Sequence, residues 1–450
     1  MPTPSPAQQP ERARGPARGA LPFAYAGRPT PIGGDPMIVE ARARAHARYE
    51  ELGLPSTRVE AWKYTNLQSL AKLELMPAER LPAIDLERIG HLLPKELRAF
   101  RIVFGNGRWR SDLAHLDDLP AGCRIVPLRE ATGRAAKIVS GSLDRAANGL
   151  SSINALNAAY AEDGAIIHLD PGTRLDAPLH LVFVCQGTEP APAIHPRVVL
   201  VAEAGSALTL IESHIGQGEG AYWTTPVIDL LVGPEAQLRH VKFQDEGPSA
   251  IHLGFSEALI DRNAFYEHLL ISVGGRLVRN ELRAKLTAEG GAVTLNGAFL
   301  GRGRQHVDNT TDIVHAAPRC RSREVYKGAL DHQARGVFQG RIVVEPGAQQ
   351  TDGHQLTRTI LLSDSAEIDA KPMLEIYADD VKCSHGATAG ALDPDWVHYL
   401  RARGIGEVEA RRLLVEGFLG EVIDGVGLPA LAQHYRARVA RWLGGEEEGA

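Results

Sequence analysis

Over residues 164–392 apolar and polar positions alternate with a period of two, and small-residue turns punctuate the runs. Ala165-Ile-Ile-His-Leu169, Leu179-His-Leu-Val-Phe-Val184 and Val198-Val-Leu-Val201 open the series. Gly205, Gly233, Gly274, Gly290 and Gly347 each precede a further run. Such alternation buries one face of a strand. Sustained without a strong helical segment, it predicts a mainly β stack: a solenoid, a sandwich or a jelly roll. The glycines do not fall at one fixed interval, so the pattern alone does not separate these architectures.

The period is different on either side. Asp35-Pro36 is a helix start, and Ile38, Ala41, Ala45, Tyr49 and Leu52 follow at helical spacing until Gly53 and Pro55. Trp62 and Tyr64 alternate, as in an extended clasp packed on one side. Leu86 to Leu97 reads as partly helical, Asn106-Gly107 as a hairpin turn, and Ser151-Ser152 as the start of a helix through Tyr160. From Asp393 everything reads as helix. Pro394 opens one helix and Gly404 ends it; Glu407 to Asp424 is a second, with Ala410, Leu414, Phe418 and Val422 as its apolar stripe; Pro429 begins a third. The expected organisation is a disordered Pro/Gly/Arg-rich tail over 1–34, a mixed helical region over 35–163, the β core over 164–392 and a helical region over 393–450.

Composition narrows the function classes. The chain has 450 residues, 44% hydrophobic and 23% charged, with a net charge of −6. That gives no basic field for nucleic acid, and no run of about 18 apolar residues exists to span a membrane. Cys123, Cys185, Cys320 and Cys383 are far apart with no CxxC pair, which predicts neither a disulfide framework nor a self-contained zinc site, and a reducing cytoplasm. The phosphate loop GxxxxGK[ST] is absent, so the chain is not expected to hydrolyse ATP by itself, and the dinucleotide fingerprint GxGxxG and the nucleophile elbow GxSxG are absent too.

Two polar runs are candidates for chemistry. Cys383 and His385, two apart at the end of the last strand-like run, share a strand face, and thiolate and imidazole both ligate iron or zinc. Two donors fall short of the roughly four that a cluster needs. His306 and Asp308 share another face, better suited to a hydrogen-bonded ladder than to a metal. Gln349, Thr351 and Gln355 fit stacking between adjacent coils.

The run Lys371-Pro-Met-Leu-Glu-Ile-Tyr-Ala-Asp-Asp-Val-Lys-Cys383-Ser-His385-Gly-Ala-Thr388 resembles the closing core of the SufB/SufD family of iron–sulfur assembly scaffolds. So do Tyr399-Leu-Arg-Ala-Arg-Gly-Ile405, His306-Val-Asp308, Ser322-Arg-Glu-Val-Tyr-Lys-Gly328, Ala348-Gln-Gln-Thr-Asp352, Leu361-Leu-Ser363 and the Trp62-Lys-Tyr-Thr65 element. Gly386-Ala-Thr-Ala-Gly390 after the histidine is the SufD form. The resemblance implies a right-handed parallel β-helix flanked by helical regions. It also implies pairing with SufB through the β-helix end, and docking of the ATPase SufC on the C-terminal helices near Arg403, Gly404, Ile405, Leu414 and Phe418. It places a transient iron–sulfur cluster at the SufB interface, with His385 as metal ligand and Cys383 as a lesser neighbour. Self-association of the chain alone is left open. The rival readings are a polysaccharide-acting β-solenoid, which would need a carboxylate cluster and a groove of aromatics, and a purely structural interaction protein.

Overall fold

Parallel strands cannot be joined by tight hairpins, so a chain whose consecutive strands belong to two facing parallel sheets must wind as a coil. That is the architecture here. A computed structural model describes residues 34–78, 82–85, 87, 89–94 and 97–444. The tail expected over 1–34 therefore falls outside the described residues as far as residue 33. The protein is mainly β, 42% strand and 26% helix, with a parallel β-solenoid core of about 8 turns and helices at both ends. One sheet stacks Gly164–Leu169, Arg197–Ala202, Val227–Val232, Ala250–Ile260, Leu277–Leu286, His306–His315, Arg335–Val344 and Glu367–Ile376. The other stacks Phe100–Gly105, Leu179–Cys185, Ala207–Gly216, Gln237–Asp245, Phe265–Ser272, Ala292–Gly301, Arg321–Leu330, Thr351–Leu361 and Val381–Gly390. The parallel stack thus reaches upstream of residue 164, where Phe100–Gly105 pairs with Leu179–Cys185.

Alternate residues of each strand point inward and fill the coil. Leu238, Tyr266, Leu295, Phe299, Tyr326, Phe338 and Ile342 belong to this one core. Coil length varies: 27 positions separate Tyr266 from its partner Val293, and 31 separate Ser322 from Gly353. A drifting period hides the repeat from an interval test.

Three helices pack at the N-terminal end: α1 (Pro36–Leu52), α2 (Gly133–Asn148) and α3 (Ser152–Tyr160). Asp35 caps α1 by accepting from Met37 N at 3.0 Å, and Ser151 caps α3. The hairpin at Asn106-Gly107 forms with both residues at positive φ, 44° and 79°. The Trp62 segment is not extended: Glu60–Trp62 is a 3-10 turn, though it still clasps the β-helix. Within the stretch expected to be partly helical, only Gly90–Leu92 forms a 3-10 turn among the described residues.

The C-terminal helices α4 (Pro394–Arg401), α5 (Glu407–Ile423) and α6 (Pro429–Gly444) follow the last strand. The buried face of α5 is Ala410, Val415, Leu419, Val422 and Ile423, so the stripe is rotated from the one expected, and Leu414 and Phe418 flank it. That face and Leu431, Tyr435, Val439 and Trp442 of α6 pack on the outer face of the second sheet, against Ile211, Val241, Phe243, Leu269, Ile271 and Leu300. No described helix is long and apolar enough to cross a membrane.

Candidate functional site

The two ends of the coil are finished differently. At the N-terminal end, Arg108–Trp109 and Cys123–Pro127 add antiparallel strands that close the two sheets. At the C-terminal end, among the described residues, Glu367–Ile376 and Val381–Gly390 are each hydrogen-bonded on one side only. Two ten-residue strands therefore present free backbone N–H and C=O edges side by side, the arrangement that recruits further strands. The inward row of the last coil is uncovered too: Ile376 is 40% exposed, and Tyr377 just beyond the edge is 61% exposed.

His385 and Cys383 lie on this final inward row, in register with Gln355 and Gly353 of the coil beneath. The face-sharing expected of the pair is thus met at the mouth of the coil. His385 is exposed, whereas Cys383 is half-buried against the core. Burial pushes the Cys383 thiol above its ordinary range, which disfavours the thiolate that would bind metal. Among the described residues, no group of three or more His, Cys, Asp or Glu side chains is placed to hold a metal ion. This end offers donors, but too few to enclose a cluster within one chain.

The outward side of the same edge carries a group that sequence reading missed. His354 Nδ1 lies 2.6 Å from Ser384 Oγ, and its Nε2 lies 2.6 Å from Asp352 Oδ1. The signal was available: Asp352, His354 and Ser384 share one parity of the register, and Ser384 pairs with His354. These residues are partly or largely exposed on a strand face, as suits an edge ladder.

His306 and Asp308 are placed on the outer face of the first sheet, under the N-terminal clasp. Asp308 accepts from Arg279 and from Thr65 Oγ1, and Thr65 Oγ1 lies 2.9 Å from His306 Nε2. The Arg279 guanidinium stacks 4.1 Å from the Trp62 ring. Burial lowers the His306 pKa, so its ring serves as a neutral hydrogen-bonding group. This is the ladder expected from the residues, with Thr65 as the member not foreseen. Gln355 likewise stacks between coils, donating to Glu324 at 2.6 Å, whereas Gln349 sits in a turn and accepts from the backbone of Asp380.

The C-terminal candidates separate. Phe418 faces the β-helix: its carbonyl accepts from Lys327 Nζ at 2.9 Å, and that ammonium lies 4.6 Å from its ring. Leu414 and Ile405 are half-buried. Arg403 is exposed and lies 3.7 Å over the Tyr399 ring, and Gly404 takes φ +86°. Outward on α4 and α5 stand Trp396 at 58% exposure and Val408 at 82%, with Leu413 beyond them.

Comparison with known proteins finds similarity over most of the chain. The sequence profile described as "SUF system FeS cluster assembly, SufBD core domain" matches residues 183–418, and "SufBD protein N-terminal region" matches 33–181. An iron–sulfur cluster assembly SufBD family protein of Synechocystis is 28% identical over 90% of this chain and 91% of its own. The iron–sulfur cluster assembly protein SufD of Escherichia coli is 31% identical over 87% of this chain and 90% of its own. SufD of Bacillus subtilis is 25% identical over 85% and 89%.

Proposed function

Since the chain belongs to the SufB/SufD family of SUF iron–sulfur cluster assembly proteins, we propose that it is a non-catalytic, cytoplasmic scaffold subunit. In this reading its open coil end pairs with SufB and its C-terminal helices dock the SufC ATPase. The observation that carries the pairing is the uncapped end, where two adjacent unpaired strand edges frame the inward row holding His385. A second β-helix meeting this end would satisfy the free backbone groups and cover the exposed apolar row. It would also add the donors that this chain lacks.

The cluster is the cargo. His385 would donate a ring-nitrogen lone pair to iron at the interface, and imidazole does so when neutral. Cys383, with its raised thiol, is the weaker donor, so the main thiolates are assigned to the partner. ATP hydrolysis is supplied by SufC. All four cysteines are free, in keeping with a reducing compartment. Without SufB, the same end would be available to a second copy of this chain.

The test is His385→Ala, co-expressed with SufB and SufC. The side chain is exposed at a strand end, so the fold and the purified complex are expected to persist while cluster accumulation in the cell falls sharply. Cys383→Ser is expected to do less. Normal cluster levels in an assembled His385→Ala complex would refute the ligand role.

A further inference from the structure

Behind His385 lies a buried polar pair that the assembly reading does not use. Glu324, Gln355 and His385 occupy successive rungs of one inward column. Glu324 is 1% exposed and Gln355 3%. Gln355 Nε2 donates to Glu324 Oε2 at 2.6 Å, while Gln355 Oε1 is buried with no hydrogen-bond partner among the described residues. Leaving a buried carbonyl unsatisfied is costly, so its persistence calls for a reason.

The geometry supplies one. The amide is planar, and its NH2 end is turned to the upstream rung by the Glu324 carboxylate. Its oxygen is therefore turned away from that rung, and the next inward residue downstream is His385, about 4.8 Å along the stack. Across the lumen, Gly340 makes room: a Cβ there would lie 1.9 Å from Gln355 Nε2. Three positions thus agree on one orientation of one amide.

We infer that Gln355 is a positioning residue for His385. Turning the exposed His385 ring toward it would give its Oε1 one imidazole N–H to accept, fixing the tautomer and leaving the other ring nitrogen's lone pair free at the mouth of the coil for iron. Glu324 holds the amide in that orientation, an outer partner of the kind that orients metal-binding histidines. This rests on the assembly reading for its purpose but not for its geometry, and the two can fail separately.

The experiment is 15N NMR on the full chain labelled at histidine, with the His385 signals assigned by their loss in His385→Ala. The parent is expected to show a single fixed tautomer. Gln355→Leu should release His385 to the mixture of an unrestrained imidazole. The exchange Glu324→Gln with Gln355→Glu keeps a donor behind and an acceptor in front, and should restore the fixed tautomer. In the complex with SufB and SufC, Gln355→Leu should lower cluster accumulation by about 10-fold or more without loss of assembly. An unrestrained tautomer mixture in the parent overturns the inference whether or not any variant folds. So does a tautomer unchanged by Gln355→Leu. Normal clusters in His385→Ala would instead remove the assembly role and leave the tautomer result standing.

Discussion

Asp308 is where one residue decides how a distant segment is held. Its fully buried carboxylate takes hydrogen bonds from Arg279, itself 1% exposed, and from Thr65, some 240 residues earlier in the chain. Breaking a buried ion pair from one side leaves an uncompensated charge and costs roughly 3–5 kcal/mol. Glu281 also contacts Arg279, at 3.3 Å, so Asp308→Ala belongs at the lower end of that range. Thr65→Val keeps the shape and removes the hydroxyl that joins Asp308 and His306, for about 1–2 kcal/mol. Denaturant titration of the two variants should rank them in that order. Equal, near-zero effects would mean that the clasp contributes nothing to stability. His306 and Asp308 were legible as a ladder because their spacing puts them on one strand face. Thr65 was not, because nothing in a local pattern records which loop will fold over a strand 240 positions away.

At the level of elements, legibility followed local signals. Helices with capping residues were readable: Asp35 before α1, Ser151 before α3, Asp393 before α4. The missed helix, α2, has no side-chain cap bond and carries Gly133, Ser140, Gly141 and Ser142, all poor helix formers. Its spacing of Ala136, Val139, Leu143 and Ala146 was nonetheless helical. For α5 the period was right but the face was wrong. Leu414 and Phe418 form as regular a row as Val415 and Leu419, and only the sheet they pack on chooses between them. That choice decides how the proposed docking of SufC on these helices is tested. Deleting everything from Asp393 would uncover Phe243, Leu269 and Ile271, so loss of binding could reflect aggregation. Point variants separate the two faces. Leu419→Ala, fully buried, should cost about 2–5 kcal/mol. Val408→Asp combined with Trp396→Ala lies on the outward side and should leave the melting temperature unchanged while SufC binding, followed by calorimetry, is lost. Undiminished binding by that variant would place the docking surface elsewhere.

The molecule as a whole buries titratable groups both inside its coil and under its flanking helices, and that sets its response to acid. Burial lowers the pKa of His180 and His195 to about 3, and that of His252 and His315 to about 4. A histidine held neutral in the fold but protonated below about 6.5 when unfolded gives stability that is complete above 6.5 and is lost as pH falls toward its folded value. Glu324 acts in the opposite sense. Burial raises it to about 7, although Gln355 donates a hydrogen bond to its carboxylate. The fold therefore retains a proton that the unfolded chain has released, and stability declines as pH rises from about 4.5 to 7. The histidines outnumber it, so unfolding free energy should climb from pH 4 to 6.5 and level off above 7. Glu324→Gln removes that opposing group and leaves Glu257, which burial also raises. In that variant the climb between 4.5 and 6.5 should steepen by one proton, about 1.4 kcal/mol per pH unit. Parallel profiles for parent and variant would mean that Glu324 ionises near its ordinary value. The column beneath His385 would then hold a carboxylate already charged when the coil forms.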